Sequence, residues 1–112
     1  MKMIVAIIRP IGINALKEAL CAANIKGMTI SEVRGFGRQL GKKEIFRGVE
    51  YLVEYVPNLQ VEILVKDSNV ERVVDLILKA TKTGETGDGK IFIHPVDDVV
   101  RIRTGERGEG AI

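Results

Sequence analysis

Tryptophan is missing from the 112-residue chain, and cysteine, histidine and aromatic residues nearly so: Cys21, His94, two tyrosines and three phenylalanines. A lone cysteine excludes an internal disulfide and suits a reducing compartment. Set among Ala and Leu, Cys21 is expected to be a small core residue. One histidine and one cysteine far apart in sequence leave no zinc-type ligand set. His94, beside Pro95 on an expected strand, is assigned a partly buried structural place. Carboxylates such as Glu62, Asp88 and Asp97 are scattered, and no nucleophile and base stand together. A surplus of one charge is also missing: 17 Lys and Arg face 15 Asp and Glu, a net charge of +2, whereas strongly basic nucleic-acid-binding domains carry far more. No apolar run reaches the length of a membrane span. The first, M-I-V-A-I-I, is too short for a signal-peptide core and is stopped by Arg9. With 46% hydrophobic and 29% charged residues, the expectation is a soluble cytoplasmic protein with a single domain over residues 1–112.

What is present alternates between two periods. Residues 3–8 are rich in β-branched side chains with no polar alternation, the mark of a strand buried on both faces. Residues 11–23 place Ile11, Ala15, Leu16, Ala19, Leu20 and Ala23 on one helical stripe, with Lys17 and Glu18 off it. Residues 28–36 alternate well enough for a second strand, and residues 59–65 set Val61, Ile63 and Val65 against Gln60 and Glu62 for a third. A second helix opens at Asp67 and Ser68, with Ser68 and Glu71 spaced as a capping box. Its apolar face is Val70, Val73, Val74, Ile77 and Leu78, and it is expected to end near residues 82–84. I-F-I-H-P-V from residue 91 predicts a fourth strand and V-V-R-I-R from residue 99 a short fifth. The Gly-rich tail from about residue 104 is expected to be mobile. Between residues 37 and 58 lies a charged stretch with three glycines and no helical stripe, whose ends can extend the neighbouring strands as a hairpin. Connections this long in compact domains tend to be functional or disordered.

The order β-α-β-β-α-β predicts an α+β domain of the ferredoxin-like kind, two helices on one face of an antiparallel sheet. Two helices cover only one face, yet the first strand is apolar on both, with Ile4, Ala6 and Ile8 pointing one way and Val5 and Ile7 the other. A second copy of the chain is the simplest cover, so a homo-oligomer is expected.

T-K-T-G-E-T-G-D-G-K-I, residues 81–91, nearly matches the phosphate-loop pattern G-x-x-x-x-G-K-[ST], with Ile91 where a magnesium-binding hydroxyl belongs. Such a loop leaves a strand and enters a helix, whose first N–H groups hold the phosphates. Here the order is reversed, and an ordinary nucleoside triphosphatase is not expected. The segment by itself admits two readings: glycines that leave N–H groups able to form an anion nest beside Lys90, or a helix C-cap at Gly84 followed by a plain turn. Arg101 and Arg103, spaced by two, are expected to leave one face of an extended segment as a pair of guanidinium forks suited to a polyphosphate. Arg38 in G-R-Q opens the long loop with a further cation. Each arginine alone is more often a solvated surface charge. R-G-F-G at residues 34–37 copies the start of an RNA-recognition signature. It stands at the end of the second strand rather than within the third, and so few aromatics provide no stacking platform.

Taken together, K-M-I-V-A-I-I-R-P, G-F-G-R-Q, E-I-F-R-G-V-E-Y, T-G-E-T-G-D-G-K-I-F-I and R-I-R-T-G-E resemble the PII signal-transduction proteins of nitrogen metabolism over essentially the whole chain. The resemblance implies a ferredoxin-like subunit in a homotrimer, with ATP or ADP in the clefts between subunits. It implies a sensor rather than an enzyme, with nucleotide and 2-oxoglutarate setting the shape of a T-loop, about residues 37–55, that docks on partners. On matching positions, Gly87, Asp88, Gly89 and Lys90 of the glycine loop, about residues 82–90, would hold phosphates with Gly37, Arg38 and a neighbouring subunit's Arg101 and Arg103. Thr29 and Leu64 would lie beside adenine, and Gln39 would place Mg2+ and the 2-oxoglutarate carboxylate. Arg47 and Tyr51 would meet a partner, an ammonium transporter first, with glutamine synthetase or nitrogenase regulation as others. Tyr51 matches a tyrosine that some relatives have uridylylated. Nucleic acid is not an implied partner, and a membrane is reached only through the transporter. Departures from the family pattern are Asn58 where 2-oxoglutarate binders usually have lysine, Val49 in place of a phosphorylated serine, and Leu40, Lys42, Lys43 and Phe46 within the loop. An amide supplies no charge, so weakened 2-oxoglutarate binding with intact nucleotide binding is expected. The rival readings are a trimeric nucleotide-hydrolysing enzyme and, further off, an RNA-binding ferredoxin-like domain.

Overall fold

The computed structural model describes residues 1–36 and 55–112 in full and residues 42–46 and 49–53 as backbone. The apolar run forms β1 (Lys2–Ile8), and α1 (Ile13–Ala22) follows after a 3₁₀ turn at Pro10–Gly12. Then come β2 (Thr29–Gly35), a hairpin of β3 (Lys42–Phe46) and β4 (Val49–Val53), β5 (Val56–Val65), α2 (Val70–Thr81) and β6 (Lys90–Pro95). β2, β5, β1 and β6 lie side by side in that order, every pairing antiparallel, which is the ferredoxin-like arrangement the element order predicts. The β3–β4 hairpin is a separate two-stranded sheet inserted between β2 and β5. β5 starts earlier than its apolar alternation predicts, at Val56, because its first residues pair with the end of β2, Val56 opposite Gly35.

Register explains the core. Ile4 stands opposite Ile63 on one side and Ile93 on the other, and Ala6 opposite Val61 and Ile91. These residues share the face on which the helices pack. Ile4, Ala6, Ile8, Val61, Ile63 and Val65 are buried there against Leu16 and Leu20 of α1 and Val73 and Ile77 of α2. At roughly 25 cal/mol per Å² of apolar surface removed from water, this one cluster is the main source of the domain's stability. The opposite face carries Met3, Val5 and Ile7, flanked by Gln60, Glu62 and Leu64 on β5 and by Lys90, Phe92 and His94 on β6. Neither α1 nor α2 packs on it. Phe92 remains 45% exposed, and its ring lies 6.4 Å from that of His94.

Several local expectations are corrected. Pro10 opens a 3₁₀ turn, and three residues per turn rotate Ile11 off the helical stripe, leaving it 87% exposed. Cys21 is exposed rather than a core residue, since Leu16 and Leu20 occupy the inward stripe and Cys21 lies one residue, about 100°, beyond it. His94 is likewise exposed in the single chain because its strand position points to the open face. The Ser68–Glu71 capping box does not form: Asp67–Asn69 is itself a 3₁₀ turn, the N-cap of α2 is Asn69, and no side chain caps it. The proposed fifth strand reduces to one bridge between Val100 and Arg107. The tail beyond it folds back as a 3₁₀ turn at Gly108–Ala111, held by the Arg107–Asp98 ion pair at 2.7 Å and by the Gly108 N–H on the Val99 carbonyl at 3.0 Å.

Candidate functional site

The glycine loop begins where α2 ends and delivers the chain into β6. Gly84, Gly87 and Gly89 all adopt positive φ, at 86°, 102° and 97°. Gly89 is the position with no latitude. A Cβ there would lie 1.7 Å from the carbonyl oxygen of Ile7, so the loop can press onto β1 only where the side chain is hydrogen. Lys90 follows at once as the first residue of β6, opposite Ile7 on the open face.

The loop is wound around one carboxylate. Asp88 accepts hydrogen bonds from the backbone N–H groups of Thr83 and Gly84, both at 2.8 Å, from the Thr83 hydroxyl, and from Arg9 Nε at 3.1 Å. The other arm of Arg9 donates from Nη2 to the Thr86 carbonyl at 2.8 Å. The Thr83 hydroxyl contributes most, followed by the Thr83 N–H, then Gly84 and Arg9, in holding the Asp88 carboxyl far below the usual carboxylate range. A folded-state pKa below the unfolded one means the ionised clasp stabilises the loop at all pH above the ordinary carboxyl value. That contribution is lost only as pH falls through the depressed one. The amide NMR shifts of Thr83 and Gly84 are therefore expected to stay constant from about pH 7 down to about pH 4. A transition centred in that interval would show that the carboxylate is not held in this way.

Asp88 is thus committed to the loop's own donors and to Arg9, and what it offers an anion is the shape of the loop. The cations are Lys79, Lys82 and Lys90, which line a cleft of about 520 Å³ together with Ile7, Leu78, Asp88 and Gly89. Thr29 and Leu64 lie elsewhere, in a second cavity of about 410 Å³ that also contains Glu62 and, from the folded-back tail, Ala111 and Ile112. Arg101 belongs to that end. Its guanidinium donates to Glu106 at 3.1 Å, to the Gly110 carbonyl at 3.3 Å and to the Ile112 carbonyl at 3.5 Å. Arg101 and Arg103 do not leave one face of a strand as their spacing predicts, because the Gly105 N–H closes a turn onto the Arg101 carbonyl at 2.7 Å.

The described site residues therefore fall into two groups. Lys90 is on β6 and Thr29 on β2, the two edges of the four-stranded sheet, which three strand spacings place roughly 14 Å apart. Both lie on the open face, since Lys90 is level with Ile7 and Thr29 with Glu62, which pairs with Val5. Asn58 is buried on that face at the root of the inserted segment, with Nδ2 3.5 Å from the Val56 carbonyl and 3.1 Å from where a Gly35 Cβ would stand. Gly37, Arg38, Gln39 and Arg47 lie outside the described residues, and Tyr51 is placed only as a backbone position in β4. Among the described residues no His, Cys, Asp and Glu cluster could hold a metal ion. Sequence reasoning missed Arg9, which it used only to end the apolar run. Its partners lie 79 and 77 residues away, and nothing local distinguishes it from a surface charge.

Comparison with known proteins gives one consistent result. The family profile for Nitrogen regulatory protein P-II matches residues 1–106. Curated proteins of that name are similar across all of both chains: 58% identical in Microchaete diplosiphon, 57% in a Synechocystis strain and 52% in Azospirillum brasilense, each over 112 residues.

Proposed function

Because the chain belongs to the nitrogen regulatory protein P-II family, we propose that this regulatory protein reads nitrogen status by binding ATP or ADP between the subunits of a homotrimer. The observation that carries the reading is the division of the site. The glycine loop with Lys90 sits at one edge of the open face, and Thr29, Leu64 and Arg101 sit at the other end of it. In one chain the two groups stand at opposite edges of the sheet. A head-to-tail association that lays one copy's β2 edge against the next copy's β6 edge joins them, and such a heterologous contact gives a ring where its rotation closes, as a homotrimer requires. With the open face turned to the inside of that ring, Met3, Val5 and Phe92 are covered as well.

In this site Lys90 and the glycine loop hold the phosphates, joined by Gly37 and Arg38 of the same chain and by Arg101 and Arg103 of the neighbour. Thr29 and Leu64 meet adenine. The residues suit a polyanion: cationic side chains stand beside a loop whose closest approach to β1 tolerates no side chain. With no carboxylate cluster among the described residues, Mg2+ would be held through the phosphates and Gln39. Segment 37–55 then reports occupancy by population shift, a ligand favouring one loop shape only by its differential affinity for it. Arg47 and Tyr51 carry the message to a partner, an ammonium transporter in the first place, with glutamine synthetase or nitrogenase regulation as further candidates. Tyr51 is the position open to modification.

Titration calorimetry tests the reading. ATP and ADP are expected to compete for one site per subunit, and phosphate release under MgATP is expected to be negligible. With MgATP present, 2-oxoglutarate is expected to bind more weakly than micromolar, since Asn58 supplies an amide and no charge. Micromolar affinity would remove the argument from Asn58, and failure of either nucleotide to bind would remove the site as a whole. Rapid turnover would favour the hydrolase instead.

A further inference from the structure

Arg9 ends β1 and grips the glycine loop with both arms, Nε on the Asp88 carboxylate at 3.1 Å and Nη2 on the Thr86 carbonyl at 2.8 Å. The other donors to Asp88, from Thr83 and Gly84, are neutral. They can fix the carboxylate in place, but they leave its charge uncompensated. Of the groups that donate to it, the guanidinium alone brings a full positive charge, and its planar fork reaches two acceptors at once, which an ammonium on a flexible stem does not do. The Asp88 carboxylate stands in the same cleft as Lys79, Lys82 and Lys90, the cations available to an anion.

We propose that Arg9 is a positioning residue for polyphosphate binding: it neutralises Asp88 and pins the loop to β1, so that an anion arriving at Gly89 and Lys90 meets lysine charge without an opposing carboxylate. This rests on the nucleotide reading above. Two consequences separate it from a merely structural role. The effect of losing Arg9 grows with the negative charge of the ligand, so ATP suffers most and AMP least. Removing the Asp88 charge as well restores part of the loss, because the repulsion goes with it.

The test is calorimetry on the full chain with ATP, ADP and AMP, alongside thermal unfolding. Arg9→Gln is expected to weaken ATP about tenfold and AMP by about twofold or less. Arg9→Lys should fall between, keeping the charge and losing one of the two contacts. Arg9→Gln combined with Asp88→Asn is expected to recover part of the ATP affinity. A wild-type chain that binds none of the three overturns the nucleotide reading, and this proposal with it. If the wild type binds ATP, then equal losses for ATP and AMP, an ATP loss within twofold, or a double variant weaker than Arg9→Gln would each overturn the proposal for Arg9. A fall in unfolding temperature with a charge-independent loss counts against it in the same way.

Discussion

Gly89→Ala is expected to abolish measurable nucleotide binding and to lower the stability of the chain by about 3 kcal/mol or more. Two independent penalties meet at this residue. Its φ of 97° is a conformation that L side chains rarely adopt, and the added Cβ would lie 1.7 Å from the Ile7 carbonyl oxygen and 2.7 Å from the carbon that bears it. Those atoms are backbone, so they cannot swing aside as a flexible side-chain tip would. Either β1 shifts and disturbs the Ile7–Lys90 and Ala6–Ile91 pairings with β6, or the loop lifts away and Lys90 leaves its place. Gly84→Ala is the informative control. It shares the positive φ, at 86°, but nothing lies within 4 Å of the added methyl, so only the backbone penalty of about 1 kcal/mol applies. Chemical denaturation and calorimetry on the two variants read the difference. Equal effects would show that contact with β1 is not what makes Gly89 necessary.

That contrast also shows how far a sequence can be read. The order of strands and helices was legible because β1, β5 and α2 carry clean periodicities, period two in Val61, Ile63 and Val65 and helical spacing in Val70, Val73 and Ile77. The reversed direction of the glycine loop, helix to strand, followed from that order and removed the phosphate-loop nucleotidase reading. What stayed hidden depends on groups far apart in the chain or on turns that break a period. The spacing of Arg101 and Arg103 suggested a strand, but the Gly105 turn overrides it. Ser68 had the spacing of a cap, but the 3₁₀ turn it sits in moves the helix start to Asn69 and Val70. Asp88 read as part of the phosphate-holding loop, and what the sequence did not reveal is that its carboxylate faces Thr83, Gly84 and Arg9, the last across 79 residues. The placement of β2 and β6 at opposite edges follows from the ferredoxin-like order that the sequence predicted, whereas the tail contacts that hold Arg101 against Glu106, Gly110 and Ile112 do not.

Val5→Glu is expected to convert the proposed homotrimer into folded monomers and to weaken ATP binding by more than about a hundredfold, an effect on the order of 3 kcal/mol. Val5 sits at the centre of the open face, between Glu62 on β5 and Phe92 on β6. Its neighbours in sequence, Ile4 and Ala6, point into the core on the other side, so the substitution leaves the helix-covered cluster untouched. In a monomer the new carboxylate would meet water and, across the strand, Glu62. Like charges directly opposite cost only a fraction of a kcal/mol to about 1 kcal/mol at such a position. In an oligomer the same carboxylate would be enclosed in an apolar contact beside a second negative group with no cation on either paired strand position, and burying an unpaired charge costs several kcal/mol. The difference between those two environments is what separates the subunits. Sedimentation would show a particle of 12.3 kDa in place of a multiple of it, while far-ultraviolet circular dichroism keeps its native shape. A variant that sediments as the same oligomer as the wild type would show that this face is not the one covered. A monomer with undiminished ATP affinity would mean that the glycine loop binds unaided and that the two edges of the sheet serve different ligands.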